Sequence, residues 1–308
     1  MSSNAKNIAK REAINRQLAA FFLSCTTGTK LDSVRTLAAS LHASIGLISE
    51  SIARLEALGA IEIERRGQLG SILTRQSIGR LWDAAVNQPL VIAQTLPSNR
   101  RYEGLATALK KTFNAVGIET YFIFIRGSRT RLQALRENRC HIAIVSQFAA
   151  EGLQTPSERI ASTLLPGSFV KSHQVFYRKD LPPNQALTAA IDPDSYDQMQ
   201  LSKIEFEGKK LKFKNISFMN IHHYLTENIV DLAIWTEEDM ETRAGGQIAS
   251  RMLAEGTIKE IGVRDTEAAL VLRPDDNTTL ALIRKVINEK EIEAIQNAVI
   301  CGDLIPEY

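Results

Sequence analysis

Near the N-terminus, apolar residues recur at three- and four-residue steps in two short runs, and strict alternation follows them. Val34, Leu37, Ala38 and Leu41 predict a short helix that Asp32 or Ser33 can cap. After the turn His42-Ala43, Ser44 can cap a second helix along which Ile45, Ile48, Ile52, Leu55 and Leu58 recur at three- and four-residue steps, with Gly59 as its stop. Gly46, Ser49, Glu50, Ala53 and Arg54 then form its outer face. Ile61-Glu62-Ile63-Glu64 and Ser71-Ile72-Leu73-Thr74 alternate as strands do, joined by the basic, glycine-flanked turn Arg65 to Gly70. Upstream, Ile8, Ile14, Leu18, Phe21 and Phe22 predict a first helix that ends before Thr26-Thr27-Gly28-Thr29. The order is helix-turn-helix followed by a β-wing.

Such a unit suits duplex DNA, because one helix fits the major groove while a cationic hairpin reaches the neighbouring phosphates. The candidate DNA-contacting residues are Arg35, Ser44, Ser49, Arg54, Arg65, Arg66 and Gln68. Residues 1–80 hold 11 Lys+Arg against 6 Asp+Glu, and the remainder holds 26 against 29. That excess favours phosphate binding without requiring it. Between Ser44 and Glu56 the only basic residue is Arg54, and Gly46 costs about 1 kcal/mol of helix stability, so base readout would lean on Ser44, Ser49 and apolar contacts. The alternative for the same pattern is a small helical subdomain with a hairpin and no nucleic acid.

The rest of the chain carries an internal echo. Leu135-Arg136-Glu137-Asn138-Arg139-Cys140-His141-Ile142-Ala143-Ile144-Val145-Ser146 returns ninety positions later as Leu225-Thr226-Glu227-Asn228-Ile229-Val230-Asp231-Leu232-Ala233-Ile234-Trp235-Thr236. Each copy reads as a helix end turning into a buried strand that finishes on a hydroxyl residue, as in a parallel sheet. Before the first copy come a strand at Leu90 to Ala93, a helix from Tyr102 to Val116 and a strand from Glu119 to Ile125, giving one α/β lobe. Before the second come a strand at Lys210 to Lys214 and a helix around His222 to Asn228, giving a smaller lobe. Val175 to Asp180 and Ala269 to Asp275 read as paired strands carrying the chain out to the second lobe and back, and the closing helices from Thr278 to Cys301 as packing on the first lobe.

With 308 residues and 44% hydrophobic content, the chain is long enough for a small domain plus a larger one of about 220 residues. Cys25, Cys140 and Cys301 are odd in number and widely spaced, which indicates neither a disulfide framework nor a zinc cluster. No apolar run has the length of a signal peptide core or a membrane span, so a cytoplasmic protein is expected. Phosphate-loop, nucleophile-elbow, His-Glu-x-x-His and Cys-x-x-Cys motifs are all missing. The adjacent His222 and His223 cannot both face one metal from a helix. Glu237-Glu238-Asp239 and Asp192-Pro193-Asp194 read most simply as solvated loops. No cofactor and no enzymatic activity are expected.

Residues 31–75 resemble the winged helix-turn-helix of GntR-type bacterial repressors. Arg35 falls on that family's DNA-contacting arginine before Leu37-Ala38, Ser44 on its recognition-helix serine, Leu55 and Gly59 on its helix end, and Gly67 and Gly70 on its wing. Ile45 and Ser49 stand where the family has recognition-helix arginines, and the wing has one extra residue between its glycines. The resemblance therefore implies a mode of docking and not a base preference. Residues 89–308 resemble the type II periplasmic-binding-protein fold, and nearly the whole chain is similar to the YhfZ type of transcriptional regulator.

Together these imply an α/β protein: an N-terminal winged helix-turn-helix domain of the α+β class (1–76), a linker (77–88) and a two-lobed α/β effector domain (89–308). Lobe 1 is expected at about 89–168 and 268–308, lobe 2 at about 169–267. Lobes of that fold close on a ligand at the C-terminal ends of their strands. Here those ends carry Ser98, Asn99, Arg126, Gly127, Ser128, Ser146, Gln147, Asn220 and Thr236, flanked by Thr95, Arg100, Trp235 and Glu237. Cationic and hydroxyl groups of this kind suit a small polar metabolite, anions included. The expected protein is a dimeric, ligand-responsive regulator of operator DNA. The competing reading is a metabolite-binding or transferase-like enzyme with a winged domain that binds no DNA.

Overall fold

A computed structural model describes residues 3–181, 186–241 and 246–308. Two packed units divide the chain: Met1–Leu90 with Lys111–Tyr121 and Asp275–Ile287 in one, Val91–Lys110 with Phe122–Pro274 and Asn288–Tyr308 in the other.

The first unit opens with helix α1 (Ser3–Ser24) and a two-residue strand β1 (Lys30–Leu31). Helices α2 (Val34–Ser40) and α3 (Ile45–Ala57) begin where their caps predict. The Ser33 hydroxyl accepts from Thr36 N at 3.1 Å, and Ser44 accepts from Leu47 N at 3.3 Å. Between them His42 takes a positive φ of 49°, the sharp reversal that keeps the two helices distinct. The wing is β2 (Ile61–Arg65) and β3 (Ser71–Gln76), antiparallel, with Glu64 opposite Ile72. Strand β1 adds to the free edge of β3, which the sequence pattern does not announce. Leu18, Phe22, Ile48, Leu55, Ile61 and Leu73 are buried at the centre of this unit.

The segment expected as a linker is instead helix α4 (Ile78–Ala85), lying against α1. Leu81 and Trp82 are buried at 0% and 1% exposure, and the indole Nε1 donates to Gln88 O at 2.9 Å. Gly79 lets α4 approach the backbone at 116–117 closely: a Cβ there would come within 2.5 Å of Gly117 O.

The larger unit contains two mixed five-stranded sheets. In chain order its first part is β4 (Leu90–Gln94), α5 (Arg100–Ala115), β5 (Thr120–Phe124), α6 (Ser128–Arg136), β6 (Ile142–Ser146), α7 (Gln147–Leu153) and β7 (Arg159–Thr163). The second part is β8 (His173–Arg178), β9 (Leu187–Ile191), α8 (Tyr196–Glu205), β10 (Leu211–Asn215), α9 (Ile221–Thr226), β11 (Leu232–Thr236), α10 (Glu237–Glu241), β12 (Ile248–Met252) and α11 (Glu255–Ile261). Then come β13 (Ala268–Leu272) and α13 (Glu289–Cys301), with α12 (Asn277–Val286) between them in the chain but part of the first unit.

The sheets have matching orders, β5-β4-β6-β13-β7 and β10-β9-β11-β8-β12. In each, the strand of the internal echo is parallel to one neighbour and antiparallel to the other: β6 between β4 and β13, β11 between β9 and β8. The echo itself has a backbone cause. Asn138 and Asn228 both adopt left-handed φ, 59° and 58°, as each preceding helix turns into its strand. Asparagine tolerates that region where most side chains do not. Arg139 N then reaches back to Ala134 O and Ile229 N to Tyr224 O, both at 2.9 Å, closing the two helix ends alike. Strands β6 and β13 are buried throughout, which accounts for their unbroken apolar runs.

Two other expectations are corrected. Strands β8 and β13 do not pair with each other; β8 lies between β11 and β12, and β13 between β6 and β7. Each is a central strand of its own sheet, and an apolar run gives no clue to its partner. Helix α12 packs against α1 rather than on the first lobe, where Lys285 Nζ donates to Cys25 O at 2.6 Å and to Gln76 Oε1 at 3.0 Å.

Candidate functional site

Within the larger unit, the C-terminal ends of the strands in both lobes converge on a cavity of about 70 Å³. Ser98, Arg126, Gly127, Ser128 and Thr236 line it, as do the flanking Thr95 and Trp235. The other predicted residues are engaged elsewhere. Asn99 Oδ1 accepts from Tyr102 N at 3.0 Å at the start of α5, and Arg100 pairs with Glu103 at 3.2 Å. The Ser146 hydroxyl accepts from Ala149 N at 2.9 Å, capping α7, and donates to Asp197 Oδ1 at 2.7 Å. Gln147 accepts from Thr163 Oγ1 at 2.7 Å and donates to Glu151 at 2.8 Å. Asn220 is exposed, while its neighbours Phe218 and Met219 line the cavity. Glu237 receives Lys171 Nζ at 3.2 Å.

The two lobes meet through charge. Arg126, just beyond β5, donates one terminal nitrogen to Asp192 and the other to Asp194 of the second lobe. Asp192 is only 1% exposed, and it also accepts from Asp194 N at 3.0 Å and Phe218 N at 3.2 Å. Beside it, Ser128 Oγ accepts from Tyr196 N at 3.1 Å, and Arg129 lies 5.6 Å from the centre of the Tyr196 ring. At the other side of the cleft Arg101 Nε donates to Glu238 Oε1 at 2.6 Å. Asp192 and Glu238 are therefore not solvated loop residues, and Asp194, though half-exposed, is paired. They are the second lobe's half of the contact, and their partners lie 66 to 137 positions away in sequence.

Deeper in the cavity lie groups that the sequence reading passed over. Arg131 is 3% exposed, with Nε donating to Ile144 O at 2.8 Å and Nη1 to Ile125 O at 2.9 Å. Burial lowers its pKa to about 10, while Tyr102 and Asp197 act in the opposite direction. Burial likewise pushes the Asp197 carboxyl up to about 6, against the Ser146 hydrogen bond and the charges of His173 and Arg131, with Asp265 reinforcing the rise. His173 Nδ1 lies 2.7 Å from Asp265 Oδ2. Burial alone would lower that histidine, but Asp265, Asp197 and Glu238 outweigh it and raise its pKa. Gln198 accepts from Asp192 N at 2.7 Å and donates to Ala190 O at 3.0 Å. Phe218 and Trp235 stack with ring centres 4.0 Å apart, forming a flat apolar wall. One signal for Arg131 was present in the sequence: it stands three residues after Ser128 and so shares its helix face.

In the first unit, Arg35, Ser49, Arg54, Arg65, Arg66 and Gln68 are all exposed, on α2, the outer face of α3 and the wing. Ser44 is exposed too, with its hydroxyl engaged as the cap of α3. The wing's cations have acidic neighbours. Arg65 donates to both carboxylate oxygens of Glu56 at 3.0 and 2.6 Å, Arg66 to Glu64 at 2.7 Å, and Arg75 to Glu62.

The chain thus joins a helix-turn-helix unit to a two-lobed α/β domain of periplasmic-binding-protein-like fold. The chain belongs to the YhfZ family: residues 78–308 match the YhfZ C-terminal domain, and residues 26–73 match a helix-turn-helix domain. It is 30% identical to the protein YhfZ of Escherichia coli K12 over 303 residues, 98% of each chain. The crystal structure of YhfZ from Shigella flexneri superposes with a TM-score of 0.59 at 28% identity, over 71% of this chain and 93% of that one. The periplasmic aliphatic sulphonate binding protein SsuA from Escherichia coli has the same fold, with a TM-score of 0.52 at 11% identity over 70% of this chain and 75% of its own. Among the described residues, no helix is long and apolar enough to cross a membrane.

Proposed function

We propose that this protein is a ligand-responsive transcriptional regulator. Its winged helix-turn-helix docks on operator DNA as a homodimer, and a small polar metabolite held between the lobes shifts the population competent to bind. The observation that carries this reading is the occurrence, in one chain, of a helix-turn-helix unit with exposed cations and a two-lobed domain whose strand ends converge on a cavity lined in part by polar side chains. The working division is a DNA-binding domain at 1–76 and an effector domain at 89–308, acting without chemical turnover in the cytoplasm, where the DNA is. Recognition helices of such a dimer fit half-sites about one helical turn apart. Arg35, Arg54, Arg65, Arg66, Ser44, Ser49 and Gln68 supply the contacts to DNA, and Ser98, Arg126, Gly127, Ser128 and Thr236 contribute to the metabolite site.

The test is binding of the purified protein to its own upstream DNA across a salt series, beside an Arg35→Ala, Arg65→Ala, Arg66→Ala variant. A steep salt slope that the variant loses supports phosphate contact by the winged unit. Absence of specific binding at every salt concentration overturns the reading.

A further inference from the structure

Two guanidinium groups face the cavity, and their situations differ. Arg126 is neutralised twice over, by Asp192 and Asp194. Arg131 is buried, its Nε and Nη1 are occupied by backbone carbonyls, and among the described residues no carboxylate lies within ion-pairing distance of it. Among the described residues, its remaining nitrogen, Nη2, meets no hydrogen-bond acceptor. Two carbonyls orient the guanidinium, and the charge of nearby Asp197 favours its protonated form without a direct ion pair, so this buried cation keeps one nitrogen available for a further acceptor.

The rest of the cavity narrows what that acceptor is. Ser128 stands one turn before Arg131 on the same face of α6, with Thr236 and the Trp235–Phe218 stack on the second lobe. A cavity of about 70 Å³ is small, which suits a compact ligand. We propose that the cavity is a carboxylate site, in which Arg131 anchors the carboxylate of a small organic acid and the Trp235–Phe218 face covers its short carbon chain. This rests on the cleft being the effector site, and it adds the chemical class of the ligand and a residue to hold it. The depressed pKa of Arg131 agrees with a cation awaiting its partner.

The experiment is isothermal titration calorimetry on the full-length protein with acetate, lactate and pyruvate, each against its neutral counterpart: acetamide, lactamide and pyruvamide. Methanesulfonate and inorganic phosphate serve as other oxyanions. At least one acid is expected to bind saturably, with its amide about tenfold weaker or silent, because a charge-assisted bond to Arg131 is lost. Arg131→Lys should retain weakened binding, and Arg131→Gln should abolish it while melting cooperatively. The inference is overturned if no acid binds better than its amide in the unmodified protein, if methanesulfonate or phosphate binds in preference to every acid, or if a folded Arg131→Gln variant binds as the parent does. The unmodified protein alone is decisive if both variants fail to fold. Carboxylate binding with no effect on DNA affinity would sink the regulator reading and leave the site standing. A DNA response to some other molecule, with no carboxylate bound, would do the reverse.

Discussion

His173 Nδ1 and Asp265 Oδ2 lie 2.7 Å apart, joining the start of the strand that enters the second lobe to the loop before the strand that returns to the first. The pair thus ties together the two crossings on which the lobes would hinge. Because the folded state raises the histidine's pKa, it binds a proton more tightly than the unfolded chain does. The stability this supplies is fully present below the ordinary histidine value of 6.5 and is lost as pH rises through the higher folded-state value. Melting temperature followed from pH 6 upward should fall in the parent and stay flatter in His173→Gln; identical profiles would separate this pair from the pH response.

Asp197 gives a second and different signature. Its carboxyl is raised from 3.8 to about 6, so the folded state holds the proton while the unfolded chain releases it. Stability therefore drops as pH climbs from 3.8 to about 6, opposite to the usual acid lability of carboxylates, by about 3 kcal/mol in total. Asp197→Asn keeps an acceptor for the Ser146 hydroxyl and should remove that decline in urea unfolding measured across the interval.

Gly127 governs how closely the lobes approach. It adopts a φ of +81°, and a Cβ there would stand 2.6 Å from Asp194 O, a backbone atom on the opposing lobe. Gly127→Ala should cost at least about 1 to 2 kcal/mol from backbone strain, with the contact adding to it. Since the second lobe can swing away to relieve that contact, small-angle scattering should report a larger radius of gyration for the variant.

The wing offers a gain-of-function test. Arg65 must exchange Glu56 for a phosphate if it is to touch DNA, and Glu56 holds it through two hydrogen bonds. An exposed pair of this kind is worth about 1 kcal/mol or less. Glu56→Gln should therefore tighten DNA binding by up to about fivefold at low salt, in fluorescence anisotropy, and Arg65→Ala in the same background should erase the gain. No change in Glu56→Gln would place Arg65 outside the DNA interface.

Trp82 tests the helix that replaces the expected linker. Fully buried and hydrogen-bonded through its indole, it should cost about 3 to 5 kcal/mol on replacement by alanine, read as a lower denaturation midpoint. A flexible linker would tolerate the change.

The sequence made local features visible, because local features are written in spacing. Caps at Ser33 and Ser44, the alternation of the wing and the twin asparagines at 138 and 228 each act within a few residues. Helix α4 was hidden by its brevity: Gly79, Leu81 and Trp82 make up its buried face. The cavity was half legible. Strand ends pointed to Ser98, Arg126, Ser128 and Thr236, yet Arg131 is a helical residue and Asp192 reads as a turn. Asp197 and His173 take on their character from Ser146 and Asp265, which lie 51 and 92 positions away. No periodicity encodes such pairings; they exist only once the lobes are placed together.

The sheet orders also set a timetable for synthesis. Strands β8 to β12 are contiguous in the chain, so the second sheet is complete once Met252 has emerged. The first sheet is not: β7 has β13 as its one neighbour, and β13 is made about a hundred residues later. At ribosomal speeds that is a wait of roughly 5 to 20 seconds. Throughout it the earlier lobe holds an orphan strand and an open apolar edge on β6, while the later lobe is already whole. The lobe encoded first is the lobe finished last, and in the interval it is the part of the nascent chain that most needs a chaperone.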